Sequence, residues 1–249
     1  MPDNPKPIFM LLNKKLFFSF SLMLATIVVA AQAAGALGDN ALNYNRLIME
    51  KTTEGMYKLI GAYKVIGTSY LFGERNKGNL FSKEAQAFNV SLSYNTYNQE
   101  VEFYSSSNPD KPLIKETGTV DSFVLNSNES LGITSPLKFV YGSHLWSSEK
   151  AYFKEIYAGK RFGLYKRYKS DLGYVSSNYV QSELRQFDLL FDFFYTDSET
   201  KTIKKLKPNP GSINKEFKSI KDVSSVIDNE ELSTNPEEAL RKVFDYLNK

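Results

Sequence analysis

The chain is predicted to be a β-rich α+β protein: an antiparallel meander or sandwich with an N-terminal helical lead-in and two C-terminal helices. Three observations predict this. Aromatic residues reach 14%, with 18 Phe and 16 Tyr against a single Trp, and such side chains suit a pleated, half-buried surface. From Ser69 to Leu206 the apolar pattern repeats every two residues. Beyond Pro208 it changes to the three-and-four spacing of helices.

Near the start, Lys14 and Lys15 are followed by an uncharged apolar run from Leu16 to Ala30 and then Ala31-Gln32-Ala33. A positive start, a greasy run and a small-x-small site form an export signal over residues 1–33. The run is shorter than the roughly 20 residues a membrane helix needs, so cleavage is expected over a retained anchor. Met10 offers an alternative start. Residues 34–68 read as a helical or mixed lead-in, because Tyr44, Leu47, Ile48, Met56, Leu59, Ile60 and Tyr63 fall near helical spacing.

Residues 69–207 form the expected antiparallel β domain of about eight to ten strands, at the usual strand spacing. Phe88, Val90, Leu92 and Tyr94 alternate with polar neighbours, and Val101 and Phe103 continue an apolar face on a return strand after Asn95–Asn98. Val120 to Leu125 and Leu137 to Tyr141 are further strands. Tyr152 to Tyr168 reads as a hairpin turned at Ala158-Gly159-Lys160, where glycine would supply a positive φ. Phe187, Leu189, Phe191, Phe193 and Tyr195 share one face of another strand, which Thr196–Glu199 turns toward Thr202–Leu206.

Residues 208–249 form a helical segment expected to pack on the sheet. Ser212 is placed to cap a helix carrying Ile213, Phe217 and Ile220. The final helix has Asn235 as N-cap, Pro236 at its first position, Glu238 completing a capping box, and a stripe of Leu240, Val243, Phe244 and Leu247.

Gly67–Leu71 (GTSYL), the strand Val90–Tyr94 with its partner Glu100–Phe103, the hairpin Tyr152–Lys169 and the capped last helix together resemble an uncharacterised family of exported β-rich proteins common in Bacteroidota-type bacteria. The resemblance spans most of the chain beyond the signal. It implies kinship and an envelope location. The family has no assigned activity, so no functional residue transfers.

Composition narrows the chemistry. The net charge is +3, and past residue 33 it falls to 28 basic against 27 acidic side chains, which gives no basic field for nucleic acid. Cysteine is absent, so disulfides, thiolate metal sites and cysteine nucleophiles are excluded. Neither a G-x-G-x-x-G nor a Walker pattern appears. No cofactor or metal is expected, and no catalytic residue is assigned.

The residues that stand out as ligand contacts are Trp146, Tyr141 and His144. The single Trp and single His lie together in a polar stretch. Trp146 with Tyr141, or Tyr165 with Tyr168, could stack on a sugar ring. No G-x-S-x-G elbow accompanies His144, and the plainer reading makes it a strand-end histidine. Asp188 and Asp192 would lie roughly 13 Å apart along a strand, too far for a glycosidase pair, and read as a solvated face. Glu100 and Glu102 invite the same reading. The acidic stretch Asp222–Glu238 matches no calcium loop and reads as a linker and helix start. The seven lysines of Lys201–Lys221 read as a protected hairpin edge.

The expected function is therefore that of a non-enzymatic secreted or periplasmic envelope protein binding a protein or glycan partner, with no nucleic acid and no stable membrane span once the signal is removed. An exported carboxylate-dependent hydrolase of glycoside type is the alternative, and a structural part of an outer-membrane assembly a third.

Overall fold

The structure, a computed structural model, describes residues 43–105, 107–115, 118–174 and 184–249. The expected signal and the first part of the lead-in, residues 1–42, lie outside the described residues. Among the described residues the chain is β-rich, and its α-helices lie at the C-terminal end, as expected from the change of period.

Among the described residues twelve strands belong to one sheet. The N-terminal group is β1 (Asn43–Lys51), β2 (Tyr57–Ile66), β3 (Tyr70–Phe81), β4 (Gln86–Asn95), β5 (Glu100–Ser105) and β6 (Asn108–Ile114). The C-terminal group is β7 (Ser122–Leu125), β8 (Leu137–Tyr141), β9 (Tyr152–Ala158), β10 (Phe162–Tyr174), β11 (Leu184–Asp197) and β12 (Thr202–Leu206). Their order is β1-β2-β11-β10-β9-β8-β7-β3-β4-β5-β6, with β12 also pairing β11. Two antiparallel meanders, β3–β6 and β7–β11, thus join through the β3–β7 ladder. Among the described residues the ladders are antiparallel except the one that joins β2 to β11 at Leu184↔Lys64, Arg185↔Val65 and Gln186↔Ile66.

The described part of the lead-in is strand, not helix. β1 and β2 run antiparallel from Asn43↔Val65 to Lys51↔Tyr57. Their turn is closed by the bond from Thr52 N–H to the Met56 carbonyl and by Gly55 at φ 89°, a value glycine accepts cheaply. Helical spacing is a weak cue beside a hairpin that can close its own ladder.

The β4–β5 hairpin forms as expected, but one residue changes its face. Gly78 pairs with Val90 and Leu80 with Ala87, so β4 carries an extra residue there, and Asn89 has φ 52°. Such a bulge breaks the two-residue alternation. Leu92 and Tyr94 are fully buried, whereas Phe88 is turned outward against the edge of Phe81. β11 departs from simple alternation as well. Phe193, Phe194 and Tyr195 are all buried because this end of the sheet is covered on both faces, while Phe191 stays half exposed.

One cover is helical. Helices α1 (Pro210–Phe217), the short α2 (Asn229–Thr234) and α3 (Pro236–Leu247) lay Ile213, Phe217, Leu240, Val243 and Phe244 on Phe162, Leu164, Phe193 and Tyr195. The cap of α1 is Asn209, which accepts from Ser212 N–H at 2.9 Å, so Ser212 is the capped residue and not the cap. Asn235 caps α3 by accepting from Glu238 N–H, as expected, while the Glu238 carboxylate pairs with Arg241. Glu237 clamps α3 to the sheet through Lys154 and Lys166 at 2.6 and 2.7 Å. Burial raises its carboxyl, but the two ammonium groups outweigh that and hold it below its ordinary range.

The second core lies within the curl of the sheet, where Tyr94, Phe123, Phe139 and Tyr152 pack ring against ring. Curling brings the β4–β5 turn against β10: Thr96 accepts from Ser170 N–H, and the Gln99 amide donates to the Tyr168 carbonyl at 2.9 Å. The same turn reaches β1, which positions the site described next.

Candidate functional site

Trp146 and His144 sit on the 3₁₀ turn Gly142–Leu145 and its end. Trp146, at φ 60°, is 44% exposed. His144 Nε2 lies 2.8 Å from Asp121 Oδ1. Tyr141 precedes them but faces inward. Its ring packs edge-on to Tyr152 at 5.2 Å, and burial raises its hydroxyl above the ordinary range. The structure therefore brings Trp146 and His144 to one surface turn and sends Tyr141 into the core. None of the three lines the grooves described below. Tyr165 and Tyr168 are buried as well. Asp188 and Asp192 do not converge: Asp188 accepts from Gln186, while Asp192 lies between Arg167 at 3.1 Å and Lys205 at 2.6 Å.

The more developed site lies where the sequence predicts a solvated face, at Glu100 and Glu102, and the structure buries both. Glu100 and Glu102 on β5 are 4% and 5% exposed. Both faces of β5 are covered here. Val101 points into the curled core, and the two carboxylates point beneath β2 and β3. Residues two apart on a strand share a face at roughly 7 Å, so the carboxyl groups lie side by side.

Each carboxylate has its own partners. Glu100 pairs with the Lys51 ammonium and accepts from Tyr57 Oη at 2.5 Å. Glu102 accepts from Tyr70 Oη at 2.9 Å and from Asn95 Nδ2 at 3.3 Å. Burial pushes the Glu102 carboxyl above its ordinary range, against the lowering effect of the Tyr70 and Asn95 bonds. The Tyr57 hydroxyl is likewise raised, chiefly by burial and then by Glu100.

A side-chain clasp completes the wall. The Asn98 amide accepts from Lys51 N–H and donates to the Met49 carbonyl, both at 3.2 Å, as the backbone of a neighbouring strand would. Asn95 shapes the turn by accepting from the N–H groups of Tyr97 and Asn98 at 3.1 Å. The Tyr97 ring meets Phe187 of β11 edge-on at 5.5 Å.

Above the carboxylates lies a groove of about 310 Å³, bordered by Tyr57, Tyr70, Tyr97, Asn95 and Asn98. It shares Tyr57, Tyr97, Asn98 and Glu100 with a wider cleft of about 890 Å³ that extends over Lys51, Gln99 and Asp171. Tyrosine rings beside amides and carboxylates can stack on a flat apolar face while accepting from hydroxyl or ammonium groups. Among the described residues no three or more His, Cys, Asp or Glu side chains are grouped to hold a metal ion, and no helix is long and apolar enough to cross a membrane.

Comparison with family models, with curated proteins and with solved structures found no match to this chain.

Proposed function

We propose that this protein is exported to the bacterial envelope and binds a glycan in the groove over Glu100 and Glu102. The opening export signature and the resemblance to exported β-rich proteins support the location. The lining of the groove carries the ligand class. Three tyrosines, two asparagines and two carboxylates converge on one concavity, a mixture suited to the alternating apolar faces and hydroxyls of a sugar chain. Binding without turnover is favoured because Glu100 is already engaged by Lys51 and Tyr57.

A glycan array probed with the chain beginning after residue 33 tests this. Binding to one glycan class, weakened about tenfold in Tyr57→Ala and Tyr97→Ala (a loss of about 1.4 kcal/mol), is expected. An array with no bound class, or one whose binding these variants leave intact, contradicts the reading.

The carboxylate pair supports a second reading, glycoside hydrolysis. Glu102, its carboxyl raised by burial, would donate the proton and Glu100 would act as the base or nucleophile. Their backbone spacing of roughly 7 Å is near the roughly 5–9 Å over which glycosidase carboxyl groups are separated. Release of reducing ends that stops in Glu102→Gln would favour this reading over simple binding.

A further inference from the structure

The charges in the groove do not balance. Glu100 is matched by Lys51. Among the described residues, Glu102 accepts only from the neutral donors Tyr70 and Asn95. Yet it is 95% removed from solvent, since 5% of its surface is exposed. A carboxylate taken out of water without a cation is costly. The other ionisable groups acting on it are Glu100 and Glu74, both of which disfavour its charge. Tyr57 of β2, Tyr70 of β3, Met49 of β1, Ile114 of β6 and Phe187 of β11 complete the walls, and none of these brings a positive charge. Aromatic faces attract cations, most strongly where water is excluded.

We propose that the groove recognises an ammonium group on its glycan, held against the Glu102 carboxylate and bordered by Tyr57 and Tyr70. This rests on the glycan reading given above. The ligand class is an amino sugar with a free amine, as opposed to a neutral or N-acetylated one. The bound ammonium would supply the cation that Glu102 lacks and favour its ionised form. A protonated Glu102 would forfeit most of the attraction, so binding should weaken as pH falls through the carboxyl's raised range.

The test is calorimetric titration, just below neutral pH, with glucosamine oligomers and the same oligomers N-acetylated. The free-amine form should bind about tenfold more tightly, the equivalent of 1.4 kcal/mol. Glu102→Gln should abolish that preference without abolishing binding. If the variant does not fold, the preference of the unaltered chain and the shift of its Asn95 side-chain amide resonances on titration still decide the matter. Equal affinity, or a preference for the acetylated form, overturns the ammonium inference and leaves glycan binding standing. Binding of neither oligomer overturns the inference as well, while the array above judges the glycan reading separately.

Discussion

At position 159 the absence of one methyl group is what matters. Glycine in the Ala158–Lys160 turn suggests a positive φ, but the β9–β10 hairpin does not use one. A Cβ at Gly159 would instead collide with the side chain of Asn248. That amide, just past α3, accepts from Arg161 and Phe162 N–H and donates to the Phe162 and Phe244 carbonyls, fastening the last helix to the hairpin. Gly159→Ala should therefore cost about 1–3 kcal/mol by overpacking, read as a lowered urea midpoint. In an Asn248→Ala background the same change should cost much less. Glu102 provides the opposite case. Its folded-state carboxyl is raised, chiefly by burial, so its contribution to stability is present below the unfolded-state pKa and is lost as pH rises through the folded-state value. Glu102→Gln should thus stabilise the fold near neutrality, with the advantage vanishing in acid. Thermal melts across pH check this sign. A residue that lowers stability where the protein works is a common mark of a binding site.

At the scale of elements, the β1–β2 hairpin is the least firmly held wall of the site. Its backbone joins the rest of the sheet through three residue pairs with β11, and its tip is fastened by the side chains of Asn98 and Glu100. Weakly held elements open locally at low free energy. Asn98→Ala and Glu100→Gln should therefore speed amide exchange over residues 49–58 while leaving β7–β10 unchanged. Equal exchange in both regions would show that the clasp contributes nothing. The same hairpin explains one limit of the sequence reading: its apolar spacing suits helix as well as strand, and only the ladder resolves the ambiguity. Elsewhere periodicity served well where one face was core and the other solvent, as at Leu92 and Tyr94. It failed at the Asn89 bulge and at Phe194, where the second face is buried too.

At the scale of the whole molecule, the β-rich class and the helical C-terminus were legible because composition and period change together near Pro208. The curl that makes the groove was not legible. Glu100 lies 49 residues from Lys51 and Glu102 lies 32 from Tyr70, and in local pattern Glu-Val-Glu looks like a wet face over Val101. The lone Trp and His stand out in the sequence because they are rare, yet rarity does not make a concavity. The binding groove is thus assembled by topology, from residues far apart in the chain. Chemical-shift mapping of the chain beginning after residue 33, titrated with the tightest glycan from the array, tests that claim most directly. Shifts should centre on Tyr57, Tyr70, Asn95 and Tyr97. Shifts centred on His144 and Trp146, with the groove silent, would contradict it.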